Sequence, residues 1–434
     1  MGEARWRDAH LHLAAHGEEL DSVSLRACGS VGECLEILAR AAADAPRDAW
    51  ITARHARVES WTERRWPTSR ELDEATGGRC AFVQSFDHHA LAASTRAMER
   101  TGVLEYAGDG VIERDGSGRA TGLLLEGTAN AFLAALPAKT DAEVRGHIER
   151  AQDDLLSRGI VEVHDMFTTA AMARALREME RDGSLRMRVW LYATPEHFDE
   201  VRAELGAPVG IGRRDEDGRV RFRGMKLFTD GTLNSRTAHM LHPFAEPIAE
   251  HPCGTPLLED GFIREAMLRG AREGFDVTAH AIGDGAVRRM LDLYESLDAD
   301  ERGLTLRIEH AQFVDEADVG RFLGLGVGRG RVIASMQPCH LLADIEALHR
   351  LVPGRIDRAF PVRDLVEAAE AHGVRAEEVV WFGSDTPVVD PSPSENVQAA
   401  VHRRRAGMPA DAMVAPGQAL DEATAVRLMR SAEG

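Results

Sequence analysis

The sequence predicts an α/β fold: a (β/α)8 TIM-type barrel with an inserted α+β subdomain after its first strand. Three observations carry this reading. Short apolar runs alternate with helical patterns through most of the chain, which is the signature of a parallel sheet, and there are eight of them, the number that closes as a barrel. One interval, from Leu13 to Val161, breaks the alternation and exceeds what a single crossover needs. The length, 434 residues, is enough for one such barrel and an insertion.

The eight runs are DAHLHL (Asp8–Leu13), VEVHDM (Val161–Met166), MRVWLYA (Met187–Ala193), GMKLF (Gly224–Phe228), FDVTA (Phe275–Ala279), LRIEHA (Leu306–Ala311), IASMQP (Ile333–Pro338) and VVWFGSD (Val379–Asp385). After the fifth, Val287, Met290, Leu291, Tyr294 and Leu297 recur at helical spacing. TDAEVRGHIERAQDDLLSRG pairs Thr140 with Glu143 as a capping box and closes on Gly159, and VRDLVEAAEAHG closes on Gly373. Within the long interval, AWITARH and CAFVQSF read as strands, and VIERDGSGRATGLLLE reads as a hairpin around Asp115–Gly118. The expected organisation is therefore one barrel over 1–434, with 44–136 as a subdomain over its mouth. The rival architecture is an open doubly wound sheet, which binds its ligand at a switch point.

Composition narrows the function. The formal charge of −19 argues against nucleic acid, whose phosphates require clustered Lys and Arg. The one basic run, His402–Arg405, reads as a solvated helix face. No apolar run approaches the roughly 20 residues of a membrane helix, and MGEARWRDAH lacks the pattern of a signal peptide. Five cysteines without a CxxC suit reduced thiols, so a cytoplasmic location is expected. The glycines of GLGVGRGR, Gly324 to Gly330, follow a helix and precede a strand, the reverse of a dinucleotide fingerprint, and read as a loop.

In a strand, residues i and i+2 face one way, so His10 and His12 can grip one ion together. A lone HxH is as readily a pair of core histidines. His280, His310, Asp385 and Lys226, however, also lie at or near the C-terminal ends of strands, the face where barrel active sites are built. Closure of the barrel sets Asp385 beside His10 and His12, with His280 and His310 across the pocket and Lys226 long enough to span it. A free ammonium would repel two cations, whereas a carbamate formed with CO₂ would bridge them. A salt-bridged Lys226 is the plain alternative. His16, His147, His197, His349, His372 and His402 read as surface residues, while His164 lies on a barrel strand within reach of the site.

DAHLHL, GMKLFTDGTLNSRTA, VTAHAIGDGAV, RIEHAQFV, ASMQP and FGSDTPV together resemble the amidohydrolase superfamily, in the long-chain branch that includes N-substituted formamide deformylase. The resemblance runs from residue 8 to about 405. It implies His10, His12 and Asp385 at one metal and His280 and His310 at the other, with carboxylated Lys226 bridging. Asp385 would serve as general base and acid towards a metal-bridged hydroxide and the leaving nitrogen. SFDHHALAAS resembles a family segment that places His89 near substrate, with His88 where a glycine is usual, and Arg236 in LNSRTA is a further candidate substrate contact. The implied cofactors are two divalent ions, Zn²⁺ first, with Mn²⁺, Fe²⁺, Ni²⁺ and Co²⁺ open.

Two features depart from the family. The flanking β-sandwich that the family builds from both chain ends is expected to be largely absent here, with only seven residues before Asp8. WITARHARVES also lacks the expected glycine-rich form. The expected function is hydrolysis of a non-peptide C–N bond, in a linear amide or an N-formyl or N-acyl amine. A deaminase, a cyclic amidase or lactonase, a decarboxylase, and a catalytically silent metal-binding or regulatory protein are the alternatives. The expected partner is a small-molecule substrate, with neither nucleic acid nor membrane, and homo-oligomerisation is left open.

Overall fold

A computed structural model of the chain describes residues 5–85, 90–108, 110–209, 218–324 and 330–431. These form two compact units, one of Met1–Gly17 with Asp141–Gly434 and the other of Glu18–Thr140.

The first unit is built on β1 (Trp6–Leu11), after which the chain passes through the second unit. That unit holds β2 (Val23–Ser24), β3 (Ile51–Ala56), β4 (Ala81–Ser85), β5 (Ala90–Ala93), β6 (Val111–Arg114) and β7 (Ala120–Leu125). The first unit resumes with β8 (Ile160–Asp165), β9 (Arg188–Ala193), β10 (Val220–Phe228), β11 (Asp276–Ala281), β12 (Thr305–His310), β13 (Arg331–Met336) and β14 (Val380–Phe382). Its eight strands pair in the order β1-β8-β9-β10-β11-β12-β13-β14, all parallel. Sequential order excludes the doubly wound alternative, in which the order reverses at a switch point.

The ends of this sheet meet. Asp385 N donates to His10 O at 2.6 Å and His12 N donates to Thr386 O at 2.9 Å. The Asp8 carboxylate accepts from Ser384 N at 2.9 Å, Ser384 Oγ at 2.5 Å and His10 N at 3.1 Å. Gly383 permits this closeness, since a Cβ there would lie 2.4 Å from His10 N. The result is a nearly closed eight-stranded barrel. Its strands are buried on both faces, as parallel strands covered by helices must be.

The helices end as their sequences foretell. Thr169 caps Ala170–Asp182 by accepting from Met172 N, and Gly183 leaves it at φ 80. Gly159 and Gly373 likewise take positive φ, 76 and 70.

Two surface expectations fail. His16 and His147 are buried; His16 Nε2 meets Asp154 Oδ2 at 2.9 Å and its Nδ1 meets Thr386 Oγ1 at 3.0 Å. The basic run is not wholly solvated either. Arg403 is buried and donates to the Val414, Phe360 and Ala359 carbonyls, satisfying backbone oxygens that no helix or strand pairs.

The second unit carries a six-stranded sheet in the order β2-β3-β4-β5-β7-β6. β2, β3 and β4 pair in parallel, and the remaining pairs are antiparallel. β6 and β7 form the expected hairpin, turned by Gly118 at φ 84. Helix Ser69–Thr76 starts in a Thr68/Glu71 capping box. The unit has its own apolar cores, one around Trp61, Leu38 and Leu72 and the other around Phe82, Phe132 and Leu124. Segment 86–89, which contains His88 and His89, and residues 325–329 of the glycine run lie outside the described residues.

Candidate metal centre

Each ligand candidate sits where its strand ends. His10 is the penultimate residue of β1, and His12 follows that strand directly. Lys226 lies in β10 in register with Thr278, His280 is in β11, and His310 ends β12. Asp385 lies three residues past β14. Side chains separated by most of the chain thus arrive at one end of the barrel.

There they converge. His10 Nε2 and His12 Nε2 face Asp385 Oδ1 at 3.4 and 3.1 Å. The His10 and His310 rings are 4.8 Å apart between centroids, and those of His280 and His310 are 4.5 Å apart. His10, His310 and Asp385 each present a ligand atom within 4.8 Å of the others. Lys226 is 1% exposed, and its Nζ has no hydrogen-bond partner among the described residues. Backbone strain marks the same place, because His310 and Asp385 hold φ of 72 and 63, where side chains other than glycine are costly.

Charge distribution favours a cation. Burial pushes the Asp385 carboxyl up, but His10 and His12 outweigh it and hold it well below the usual carboxylate range. Burial lowers His280 to about 4, with Lys226 adding to the effect. His310 falls well below its ordinary value through burial and the adjoining His280 and His10. Burial also lowers Lys226, to about 8, against the pull of Glu309 and Asp385. The pocket therefore offers neutral imidazoles at His280 and His310, an ionised carboxylate, and an amine that loses its proton more readily than an ordinary lysine. Such a set suits a borderline divalent metal, and a neutral amine is the form that takes up CO₂. The residues fit a divalent metal ion, with His10, His310 and Asp385 grouped closely enough to share one.

The outer faces of three of the rings are also held. His10 Nδ1 lies 2.6 Å from Glu309 Oε2, His310 Nδ1 lies 2.7 Å from Gln337 Oε1, and His280 Nε2 lies 3.1 Å from Gly231 O. Behind Glu309 stands Arg307, fully buried and 3.0 Å away. Asp230 accepts from the backbone N–H groups of His239, Ile282 and Gly283, which ties the loop after β10 to the one after β11. His340 Nε2 approaches Asp385 Oδ2 at 3.8 Å.

Two residues stand apart from the cluster. His164 is buried against Trp190, with ring centroids 4.4 Å apart, and its Nδ1 accepts from Arg307 at 2.8 Å. It belongs to the packing beneath the site. Arg236 donates to Glu246 O at 3.3 Å from the loop after β10. His89 lies outside the described residues.

Sequence reading passed over Glu309, Gln337, Asp8, Ser384 and His340. The signal for the first was present: LRIEH sets Arg307 and Glu309 at i and i+2 in an otherwise apolar run, and charges that recur on one face of a buried strand must answer each other.

The chain belongs to the amidohydrolase family, which it matches over residues 7–433. It is 27% identical to the N-substituted formamide deformylase of Arthrobacter pascens, covering 97% of this chain and 76% of that protein. It is 25% identical to the amidohydrolase YtcJ of Bacillus subtilis, covering 92% and 72%. A metal-dependent hydrolase from Pyrococcus horikoshii superposes with a TM-score of 0.79 at 27% identity, over 98% of this chain and 79% of that one. The chain is thus a metal-dependent hydrolase acting on carbon–nitrogen bonds. No helix among the described residues is long and apolar enough to cross a membrane.

Proposed function

We propose that this chain hydrolyses a linear amide, most simply an N-formyl or N-acyl amine, at a pair of divalent cations. The observation that carries this reading is Lys226, whose Nζ is buried among imidazoles and a carboxylate and has no hydrogen-bond partner among the described residues. A permanent ammonium in that position would be desolvated and would feel Glu309 and Asp385 only at a distance, without a hydrogen-bond acceptor among the described residues, whereas a carbamate would give it anionic oxygens to share between two ions.

In this reading His10, His12 and Asp385 hold one ion, His280 and His310 hold the other, and Lys226 joins them. Two such ions, Zn²⁺ first, would acidify a water and polarise the amide carbonyl. Asp385 receives a proton on its carboxylate and delivers it to the departing nitrogen, so that the product leaves as a neutral amine. Phe228, 38% exposed at the end of β10 with its ring 5.8 Å from that of His280, offers apolar surface to a substituent. Arg236 serves as a further substrate contact.

Metal-loaded protein screened against a panel of N-formyl and N-acyl amines, with products identified, tests the proposal. Release of a free amine and a carboxylic acid supports it. Ammonia from an amino-substituted ring, opening of a lactone or cyclic amide, or loss of CO₂ would point instead to the deaminase, cyclic-amidase or decarboxylase readings. Absence of turnover in a metal-loaded, folded sample across all four classes would favour a silent metal-binding protein.

A further inference from the structure

Histidines that ligate metals are commonly backed by a partner on the second ring nitrogen, which fixes the tautomer and the ring orientation and raises ligand basicity. In this chain those partners differ in kind. His10 is backed by a carboxylate at hydrogen-bond distance, Glu309 Oε2 at 2.6 Å, while His310 meets a side-chain amide, and His280 meets a backbone carbonyl at 3.1 Å with the Asp230 carboxylate farther off at 3.5 Å.

Glu309 is also more firmly braced. It is fully buried, its Oε1 accepts from Thr278 Oγ1, and Arg307 Nε lies 3.0 Å from that same oxygen. Arg307 is in turn anchored to Ala9 O at 2.7 Å, Ser335 Oγ at 3.1 Å, Tyr192 OH at 3.1 Å and His164 Nδ1 at 2.8 Å. Two of these anchors bear directly on the site: Ala9 neighbours His10, and Ser335 lies in register with Glu309. A buried pair so fixed cannot swing away when the ring it supports is pulled by an ion.

The geometry points to Glu309 as the positioning residue of His10, which makes the His10–His12–Asp385 half the tighter of the two cation sites and the first to fill. A carboxylate acceptor holds the proton on Nδ1 and directs the Nε2 lone pair towards Asp385 Oδ1, 3.4 Å away. Gln337 and Gly231 orient their rings without a charge, and the Asp230 carboxylate, 3.5 Å from His280 Nε2, is turned to the backbone N–H groups of His239, Ile282 and Gly283. The inference rests on the two-cation reading above, and its test is separable from that reading.

Apo full-length protein is titrated with Zn²⁺ against a chromogenic chelator, with the fold checked by thermal melting. Wild type is expected to show two classes of site. Glu309→Gln keeps shape but removes charge, and Glu309→Asp keeps charge opposite Arg307 but withdraws reach. Each is expected to weaken the tighter class by about 10–100-fold and leave the other within threefold. Gln337→Glu, placing a carboxylate behind His310, is expected to tighten the weaker class and gives a readout should Glu309→Gln fail to fold. Long-range ¹H–¹⁵N spectra of histidine-labelled protein are expected to place the His10 proton on Nδ1. Unchanged affinity in folded Glu309→Asp, equal weakening of both classes, or a proton on Nε2 would overturn the inference. A wild type that binds one equivalent refutes the two-cation reading alone. The Glu309 role is then judged on that single class: it stands if Glu309→Asp weakens the class at least tenfold and falls if it does not.

Discussion

Ser384 gives Asp8 both its backbone N–H and its hydroxyl, at 2.9 and 2.5 Å, and so fastens the last barrel strand to the first. The next residue, Asp385, is thereby set against His10 and His12. Ser384→Ala removes one hydrogen bond to a buried carboxylate and is expected to cost about 1.5–3 kcal/mol. Denaturant midpoints should fall accordingly, and metal content should drop with them, because ligand placement depends on the same clasp. Unaltered stability would show that the clasp is redundant.

Lys226→Ala should leave the barrel folded, since it replaces a buried, unpartnered amine by an apolar group. Metal affinity should fall by more than the roughly 10–100-fold typical of losing an outer partner. Short carboxylic acids should restore part of the activity by supplying the missing oxygens. Activity equal to that of wild type would refute the carbamate role.

Asp385→Asn retains the shape of a ligand but cannot carry the proton. Turnover is expected to fall by about 10²–10⁴-fold, the usual worth of a general base or acid, with the fold intact. Metal binding at wild-type level with no change in turnover would assign the proton to another group, and His340, 3.8 Å from Asp385 Oδ2, is the first to examine.

His164 sets an acid limit on stability. Burial holds it at about 3, reinforced by Arg307 and Arg7 and opposed by Glu162. Unfolded histidine titrates near 6.5, so between about 6.5 and 3 the unfolded chain binds a proton that the folded chain refuses. Stability therefore falls as pH drops through that window. Glu162, lowered to about 2 by His164 and Arg7 despite burial, adds a loss of the same sign from about 4.5 downward. In His164→Asn, which keeps an acceptor for Arg307, the melting temperature should depend less steeply on pH between 6 and 4. An unchanged slope would place the acid sensitivity elsewhere.

Much of the barrel was legible in the sequence because its strands follow local rules. Each strand is a short buried run, and the candidate ligands His10, His12, Lys226, His280, His310 and Asp385 lie at or near strand ends, so their arrival at one end of the barrel could be read from spacing and order. Long-range polar pairing was less legible. Glu309 reaches His10 and Asp8 reaches Ser384 across nearly the whole chain, and neither partner follows from its neighbours in sequence. The same limit hid His16, whose burial depends on Asp154 and Thr386. It also hid Arg403, which satisfies carbonyls in two distant segments.

Anomalous scattering from crystals of the metal-loaded protein, recorded at the zinc edge, puts the central assignment to the most direct test. Two peaks are expected, one about 2.0–2.1 Å from nitrogens of His10 and His12 and the other at that distance from His280 and His310, with density for a carbamate on Lys226 between them. A loaded, active crystal with no peak among these side chains, or with an unmodified Lys226 ammonium pointing away from them, would contradict it.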